Sequence, residues 1–364
     1  MHKLGISVYP DKAPMDKIYT YLEKAASLGY SRIFTCFLSL EEEGLEDYKA
    51  TFKEFSNKAH ELGFEIAVDT HAAAFEAFGA TPEDISPFVE LGIDIIRLDV
   101  DFGLQKNVMI TRNPHNVKIE FNASVDASLS HLLQNGGNKE QCIVCHNFYP
   151  ERFTGLNLNL FKNMNKHWKS LNLRTAAFVS SNAENTHGPW KVFCGLPTVE
   201  IYRGLPIDLQ ARHMLATGDV DDIIIGNAFA TDEELEALAK LNYQATEVRV
   251  DIVEGINATE EEIAFTYKPH TNRVDYSSFM LRSTMPRIVY KGKSIPHRPC
   301  DKKFFTRGDV LIVNDNLEHY RGELEVVLQD IPNDGERNLV GTIKPEELMM
   351  LDEIKPGFHF RLIK

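Results

Sequence analysis

The chain has 364 residues, of which 43% are hydrophobic, and a formal net charge of −14 at pH 7. This length exceeds a single typical domain of about 100–200 residues. An eightfold barrel of about 250 residues would leave room for a second, smaller domain. The acidic charge argues against binding to nucleic acid or to an anionic membrane surface, because both need a basic face. An anionic small molecule would need a local cluster of arginines and lysines.

The N-terminal segment and the cysteines bear on location and metal chemistry. The first twelve residues lack the apolar run of a signal peptide, and no stretch reaches the ~20 apolar residues of a membrane span. We therefore predict a cytoplasmic protein with no membrane partner. Cys142 and Cys145 form a C-x-x-C inside an apolar run, and a strand would send the two thiols to opposite faces. The sequence thus predicts core thiols, no metal site and no cofactor.

Up to Leu241, short β-type runs alternate with amphipathic segments. The β-type runs predict strands at 4–9, 31–37, 64–70, 93–101, 116–124, 141–149, 174–181 and 221–229. Apolar residues at helical spacing predict helices at 16–30, 48–63, 81–92, 124–136, 156–173, 206–219 and 231–241. We expect two of these helices to begin at Thr81 and at a Thr231 cap. The alternation predicts a parallel (β/α)8 TIM barrel. An open doubly wound sheet is disfavoured, because the first turn, VYPDKAPMD, has no G-x-G-x-x-G.

Past Leu241 the pattern changes to short alternating runs separated by turn sequences such as TRGD and PNDGE. The predicted strands are QATEVRVDIV, EEIAFTYK, RVDYSSFMLRS, RIVYKG, DVLIVND, HYRGELEVVLQD, NLVGTI and FHFRLIK, and KPEELMMLDEIKPG is the one predicted helical piece. The chain therefore divides into an α/β barrel domain, 1–241, and a β-rich domain, 245–364, built as a barrel or sandwich.

Six of the eight predicted barrel strands end in polar side chains. Active sites of this fold lie at the C-terminal ends of the strands, so these side chains are site candidates. In strand order they are Asp69 and His71; Arg97, Asp99 and Asp101; Glu120, Asn122 and Ser124; His146, Asn147 and Tyr149; Ser180, Ser181 and Asn182; and Asn227. The two-residue period of a strand places Arg97, Asp99 and Asp101 on one face.

Several of these residues also have structural interpretations. Arg97 and Asp99 would suit an ion pair lining the barrel, and Asp69 would suit a helix cap. His71 is more typical of a hydrogen-bonded polar residue than of a metal ligand. Glu120 lies between the apolar residues Ile119 and Phe121, and the residues that share its face of the strand are polar. This position favours an active-site role.

Paired carboxylates at a barrel mouth are what glycoside hydrolysis requires. Metal-dependent hydrolysis would favour several histidines, and no H-x-H or H-E-x-x-H spacing is present. A serine hydrolase would need a G-x-S-x-G elbow, which is also absent from the sequence. We predict Glu120 and one of Asp99 and Asp101 as the catalytic pair.

The long segment after the seventh strand carries Trp190, Glu200, Tyr202 and Arg203. Trp190 would serve either as a platform for a sugar ring or as packing for a lid. Arg203 would suit bidentate binding of an anion. Phosphate often binds near the seventh and eighth strands of such barrels.

Four stretches of the sequence resemble the bacterial 6-phospho-N-acetylmuramidases. They are GISVYP, the RLD of the fourth strand, CGLPTVEIYRGLP followed by QARHMLATGDVDDIIIGNAFA, and KPGFHFRL. The resemblance spans essentially the whole chain and rests on the order of these stretches. It implies a (β/α)8 barrel with a cyclophilin-like β-barrel domain. It also implies cytoplasmic hydrolysis of the disaccharide N-acetylmuramic acid 6-phosphate–N-acetylglucosamine during cell-wall recycling.

Such a substrate carries a phosphate and a carboxylate, so cations near strand ends become binding candidates: Arg97, Lys118, Arg152 and Arg203. The full predicted substrate-binding set is Asp69, Arg97, Asn122, His146, Asn147, Tyr149, Arg152, Glu200, Arg203 and Asn227.

Two rival interpretations stay open at the level of sequence. One is a phosphosugar isomerase or aldolase, although only Lys118 enters a strand where a Schiff-base lysine would be expected. The other is a non-catalytic phosphosugar-binding protein that uses the β-rich domain for a partner. A homodimer also stays open.

Overall fold

A computed structural model describes residues 2–37, 44–191, 194–289 and 291–364. The chain divides into two compact units. The first is the chain up to Met214 together with Gly218–Leu241, and the second comprises Leu215–Thr217 and Asn242–Lys364. Within the described ranges, no helix has the length and apolar character needed to cross a membrane.

The first unit is built on a closed barrel of eight parallel strands, each hydrogen-bonded to the next and the last to the first. The strands are β1 (Lys3–Ser7), β2 (Arg32–Cys36), β3 (Glu65–Thr70), β4 (Ile95–Leu98), β5 (Lys118–Asn122), β6 (Cys142–Cys145), β7 (Thr175–Val179) and β8 (Asp222–Ile225). Their near-continuous burial is typical of strands covered on both faces. The predicted TIM barrel is confirmed.

Helices surround the barrel between consecutive strands. They are α1 (Met15–Ser27), α2 (Leu45–Glu61), α3 (Ala72–Phe78), α4 (Ser86–Glu90), α5 (Leu104–Ile110), α6 (Leu129–Gln134), α7 (Leu158–Ser170), α8 (Ile207–Ala216) and α9 (Asp232–Ala239), with 3₁₀ turns at Lys139–Gln141 and Glu200–Tyr202. Helix α1 buries Ile18, Tyr21 and Leu22, which recur at helical spacing. The predicted Thr231 cap is confirmed, because its side chain accepts from the Glu234 N–H in a capping box.

Three helical features differ from the sequence-based prediction. The helix expected to begin at Thr81 begins at Ser86 instead, because Thr81 and Asp84 close a turn through mutual backbone hydrogen bonds of 2.9 and 3.1 Å. Helices α3 and α5 were not predicted. Each has seven residues, which is too short to display a repeated apolar stripe.

The barrel interior is apolar in part and charged in part. An aromatic cluster of Phe34, Phe148 and Phe178 has ring centroids 5.0–5.9 Å apart. Cys145 packs in the same interior cluster, and both it and Cys142 are free thiols. The charged side chains of the interior lie on β2 to β5 and β8, and they position the site described below.

The second unit is a sheet of seven strands in the order β10-β17-β9-β16-β13-β14-β11, with a separate β12-β15 pair. The strands are β9 (Thr246–Ile252), β10 (Pro269–Thr271), β11 (Met280–Ser283), β12 (Phe304–Phe305), β13 (Asp309–Val313), β14 (Leu324–Val327), β15 (Ile331–Pro332), β16 (Arg337–Ile343) and β17 (His359–Ile363). Next to the edge strands β10 and β11, the Arg273 N–H donates to the Arg282 carbonyl at 3.1 Å. The sheet is therefore a nearly closed barrel.

Two predicted strands of this unit are helices, and they are corrections to the sequence analysis. EEIAFTYK contributes to α10 (Glu260–Thr266), where Thr259 and Glu262 form a capping box that outweighs the alternating apolar residues. RIVYKG overlaps α11 (Met285–Val289), which has Pro286 in its first turn; Tyr290 of that stretch lies outside the described residues. The predicted helical piece near the C-terminus forms 3₁₀ turns at Pro345–Glu353, and another 3₁₀ segment spans Asp315–Tyr320.

Candidate active site

The C-terminal ends of β3 and β4 bring a carboxyl group and a guanidinium group together at the barrel mouth. Asp69 and Arg97 are paired in register on these adjacent strands. Arg97 Nη1 donates to Asp69 Oδ1 at 2.6 Å, and Arg97 Nη2 donates to Asn147 Oδ1 beyond β6. The side chains of Asp69 and Arg97 are only 8% and 5% exposed. The predicted candidates Asp69, Arg97 and Asn147 thus form one network.

The surroundings of Asp69 perturb its acidity. Burial raises the pKa of its carboxyl, and the nearby charges of Asp99 and Glu120 raise it further, whereas Arg97 opposes the rise. The net shift of the pKa is upward. A buried carboxyl of this kind holds its proton more readily than one in water.

Asp99 and Asp101 follow β4 and are both exposed, but they have different surroundings. The Asp99 backbone N–H donates to the Thr70 carbonyl at 2.9 Å, which ties it to the end of β3. No hydrogen bond or ion pair of the Asp99 side chain is found among the described residues. Asp101 Oδ1 instead accepts from the Gly103 N–H at 2.8 Å and from Asn107 Nδ2 at 2.7 Å. Asp101 therefore fixes the start of α5, and Asp99 presents a solvated carboxylate.

Glu120 lies deeper in the barrel than the mouth. Its side chain has no exposed surface and forms an ion pair with Arg32. Arg32 also donates to Asp222 at 3.1 Å, and Arg174 contacts the same carboxylate. Together these four side chains form a charge-balanced cluster, in which Arg32, Glu120 and Asp222 are buried and Arg174 is partly exposed. Glu120 does not border the open mouth, so its predicted catalytic role gains no support from its position.

His146 and Asn122 are engaged by their immediate surroundings. His146 points away from the mouth toward α7, with Nε2 3.0 Å from Asn165 Oδ1 and Nδ1 3.3 Å from Ser124 Oγ. Burial lowers the pKa of His146 to about 4, so the ring is neutral near pH 7. Asn122 Oδ1 accepts from the Ser124 N–H at 2.8 Å. His146 therefore cannot contact a ligand in the mouth.

The opposite wall of the mouth is aromatic. Phe148 follows β6 and packs on the interior cluster, and Trp190 lies 6.3 Å from it between ring centroids. Trp190 is 44% exposed. Tyr9 lies two residues after the end of β1 and points inward, as the two-residue period of the strand predicts. Its hydroxyl donates to the Gly226 carbonyl at 2.8 Å. Neither Tyr9 nor Phe148 was among the predicted site residues. The phase of Tyr9 with Ser7 was an available signal, whereas Phe148 departs from the phase of His146, which points toward α7.

A cleft of about 650 Å³ lies beyond β7 and β8, lined by side chains and backbone of the loops after β6 and β7. The exposed Arg152 borders it, and Arg152 Nε donates to Cys194 Sγ at 3.2 Å. Asn227 also lines the cleft but is 3% exposed, because its side chain bridges the Ser181 N–H and carbonyl at 2.9 and 3.0 Å.

Arg203 and Glu200 line the same cleft, as predicted candidates for ligand binding, and they also join two loops. Arg203 Nε and Nη2 each donate to Glu200 at 2.7 Å, and its η nitrogens also donate to the carbonyls of Tyr149 and Cys194 at 2.9 and 2.7 Å. Arg203, with help from the Phe153 and other backbone N–H groups, lowers the pKa of Glu200 to about 2. Every nitrogen of Arg203 is already bonded within the chain, so little donor capacity is left for an anion.

The helix N-terminus near β7 and β8, where TIM barrels often bind an anion, is occupied here by a carboxylate of the chain itself. Glu234 in the first turn of α9 accepts from Ser181 Oγ at 2.5 Å and from the Thr231 N–H at 3.0 Å. A carboxylate at a helix N-terminus competes with any external anion there. Arg152 is therefore the predicted cation with the most open access to the cleft.

Lys118 lies at the other end of the barrel. Its Nζ donates to the Glu140 carbonyl at 2.9 Å, and it lines a cavity with Lys3, Arg174 and Asp222 at the N-terminal ends of the strands. It is thus remote from the mouth, both for phosphate and for Schiff-base chemistry. In the part of the chain that the structure describes, no group of three or more His, Cys, Asp or Glu side chains is arranged to hold a metal ion.

Comparison with protein families decides the identity of the chain. A model of the N-terminal part of 6-phospho-N-acetylmuramidase matches residues 4–240, and a model of its C-terminal part matches residues 246–363. The chain belongs to the 6-phospho-N-acetylmuramidase family. This confirms the resemblance seen in the sequence and makes the chain a glycosidase. The family name also implies a phosphorylated sugar substrate.

Two solved structures share the two-domain architecture of this 6-phospho-N-acetylmuramidase family member. An uncharacterized B. cereus protein is 41% identical with a TM-score of 0.90, and the match covers 100% of this chain and 99% of that one. A conserved Enterococcus faecalis protein of unknown function is 25% identical with a TM-score of 0.72, covering 100% and 96%. No curated protein matches the chain significantly.

Proposed function

We propose that this glycosidase hydrolyses the bond between N-acetylmuramic acid 6-phosphate and N-acetylglucosamine, with Asp69 and Asp99 as its two carboxyl groups. The observation that carries the proposal is their contrast on adjacent strands. Asp69 is buried with a raised pKa, whereas Asp99 is solvated and unpartnered among the described residues. When two carboxyl groups of one site have such different surroundings, one typically serves as the acid and the other as the base or nucleophile.

The contrast assigns a role to each carboxyl group. Asp69, whose pKa is raised, donates a proton to the leaving oxygen of the glycosidic bond. Asp99 is accessible, and its carboxylate either attacks the anomeric carbon or activates water. Arg97 holds Asp69 in place at 2.6 Å. This pair replaces the combination of Glu120 with Asp99 or Asp101, because Glu120 is enclosed and Asp101 is engaged in the α5 turn.

The 6-phosphate fits the cleft beyond β7 and β8. The cleft is large enough for part of a sugar phosphate at about 650 Å³, and the exposed Arg152 stands at its edge. In a protein of net charge −14, a cation at this position gives the phosphate a local attraction that the overall field lacks. Trp190 and Phe148 supply an apolar face on which a sugar ring stacks.

The cellular context follows from the substrate. A phosphorylated disaccharide carries charge that prevents its passive passage across a membrane, so it stays in the compartment where it is formed, which we infer to be the cytoplasm. Its products are a phosphorylated amino sugar acid and N-acetylglucosamine, as expected for recycling of cell-wall material.

The direct test uses purified protein with the phosphorylated disaccharide and with its dephosphorylated form. We expect release of N-acetylglucosamine from the phosphorylated form and little from the other. Equal turnover of both forms would contradict phosphate recognition, and no turnover of either would contradict the proposed reaction. Following the anomer of the released sugar by NMR would show whether Asp99 acts as nucleophile or as base.

A further inference from the structure

The backbone of Asn147 is held by two hydroxyl groups at the point where the strand ladder ends. The pairing of β6 with β7 covers Val144 and Cys145, and the His146 N–H still donates to the Ala176 carbonyl at 2.9 Å. Beyond it, Ser124 Oγ accepts from the Asn147 N–H at 3.1 Å, and Thr198 Oγ1 donates to the Asn147 carbonyl at 3.0 Å. The position of Asn147 therefore depends on side chains and not on the ladder.

The directions of the hydrogen bonds behind Asn147 follow from the orientation of the Asn165 amide, whose Oδ1 faces His146. Asn165 Oδ1 is an acceptor, so the neutral His146 ring carries its proton on Nε2, 3.0 Å away. Nδ1 is then an acceptor, and the Ser124 hydroxyl donates to it at 3.3 Å. With its proton directed at His146, the Ser124 oxygen is left to accept from the Asn147 N–H. All three side chains are at most 9% exposed.

The same chain of contacts continues to the candidate acid. Asn147 Oδ1 accepts from Arg97 Nη2, and Arg97 Nη1 donates to Asp69 at 2.6 Å. We propose that Ser124 and His146 are positioning residues, which fix Asn147 so that Arg97 holds Asp69 in its catalytic orientation. This inference rests on the proposed function, because it assigns Asp69 to the proton transfer.

The proposal predicts a specific change in the pH profile. The charged groups that act on Asp69 are Arg97 on β4, Asp99 after β4 and Glu120 on β5. On the other side, Tyr9 interacts electrostatically with Asp69, and Cys36 of β2 is its register partner. Among the leading influences on Asp69 in the described residues, Arg97 is the one that lowers its pKa. A looser Arg97 would therefore raise that pKa. Since the acid must be protonated, the alkaline limb of kcat/KM would move to higher pH.

The test compares Ser124→Ala with wild type on the phosphorylated disaccharide. We expect kcat to fall roughly tenfold or more with little change in KM, because the acid is misplaced while the binding groups remain. The alkaline limb should move up by at least about half a pH unit. Ser124→Thr, which keeps the hydroxyl, should restore most of kcat.

The matched control is Ser130→Ala. Ser130 Oγ also contacts a histidine and a carboxylate, His167 Nε2 at 3.2 Å and Asp126, but on α6 and α7 away from Asn147. The kcat of Ser130→Ala and both limbs of its pH profile of kcat/KM should match those of wild type. If Ser124→Ala does not fold, Ser124→Cys keeps the volume, weakens the hydrogen bond and gives the same readout.

The outcomes separate this inference from the proposed function. A wild-type protein that leaves the phosphorylated disaccharide intact overturns the proposed function. If the wild type is active but the alkaline limb of kcat/KM does not shift in the Ser124 variants, the positioning role is overturned. An equal loss of kcat in Ser130→Ala would also overturn it, because the effect would then follow from general loosening of the barrel.

Discussion

Arg97 and Asp69 are paired in register on adjacent strands, with Nη1 2.6 Å from Oδ1 and both side chains almost fully buried. A guanidinium in this position is expensive to bury without its partner. The pair is therefore structural, in addition to the role proposed for it in the reaction. It joins β3 to β4 at the mouth, and it sets the orientation of the Asp69 carboxyl group, whose pKa the charge of Asp99 raises.

The first prediction concerns Asp99. Asp99→Asn should reduce kcat/KM roughly 100- to 10,000-fold on the phosphorylated disaccharide, because the amide can neither attack nor accept a proton. The side chain is exposed and has no partner among the described residues, so the thermal midpoint should stay close to wild type. Steady-state kinetics and a melting curve on the same preparation measure both quantities.

Asp101→Asn is the matched comparison two residues away. Asparagine keeps an oxygen that accepts from the Gly103 N–H, so the turn into α5 should persist. Activity should stay within about twofold of wild type. A variant pair in which Asp101→Asn is inactive and Asp99→Asn is active would reverse the assignment made from their contacts.

The second prediction concerns Glu120. Glu120→Gln removes a buried charge that balances Arg32, so the free energy of unfolding should fall by about 3 kcal/mol. Urea unfolding at pH 7 measures this loss. The exposed Glu140 provides a control, and Glu140→Gln should change stability by less than about 0.5 kcal/mol. A Glu120→Gln protein that is as stable as wild type but inactive would return Glu120 to the reaction.

The comparison of Glu120 with Asp99 shows what sequence patterns could predict. Strand period correctly places the Glu120 side chain toward the barrel interior, whereas Asp99 lies just beyond the end of β4 and is exposed. It does not say how deep each residue lies, because depth depends on the stagger of neighbouring strands around the barrel. Arg32, which begins β2, pairs with Glu120 only because this stagger brings their side chains together. The barrel itself was predictable, since eight buried runs repeat with intervening helices.

Loop residues were less predictable than strand residues. Arg203 and Glu200 are of the types that bind phosphate and sugar hydroxyls, yet they satisfy each other and nearby backbone groups. Several of their partners are distant in the chain, such as the Tyr149 carbonyl, which lies 54 residues from Arg203. Local sequence carries no signal for such contacts. In the second unit, the Thr259–Glu262 capping box was a local signal that alternating apolar residues obscured.

The third prediction is a loss of stability in mild acid. Burial lowers the pKa of His146 and of His270 to about 4 in the folded chain, from an ordinary value of 6.5. Between pH 6.5 and 4 the unfolded chain therefore binds more protons than the folded chain. Stability should fall as the pH is lowered through this window, by up to about 1.4 kcal/mol per pH unit for each histidine.

Urea unfolding at pH 7.0, 5.5 and 4.5 tests this linkage. His270→Asn should flatten the pH dependence for the second unit, and His146→Asn should do so for the first. The exposed His115 supplies a control, because His115→Asn leaves the slope unchanged. Equal slopes in all three variants and wild type would show that these buried rings are not the source of the acid sensitivity.

The fourth prediction concerns phosphate recognition by Arg152. Arg152→Gln should raise KM for the phosphorylated disaccharide roughly tenfold, since an exposed cation at the cleft edge contributes mainly to binding the anion. The small turnover of the dephosphorylated disaccharide should not change, because that substrate makes no contact with the guanidinium. Lys166→Gln removes an exposed cation from α7, outside the cleft lining, and should leave both KM values as in wild type. If Arg152→Gln slows both substrates equally, the residue supports the fold of its loop, and the phosphate binds elsewhere in the mouth.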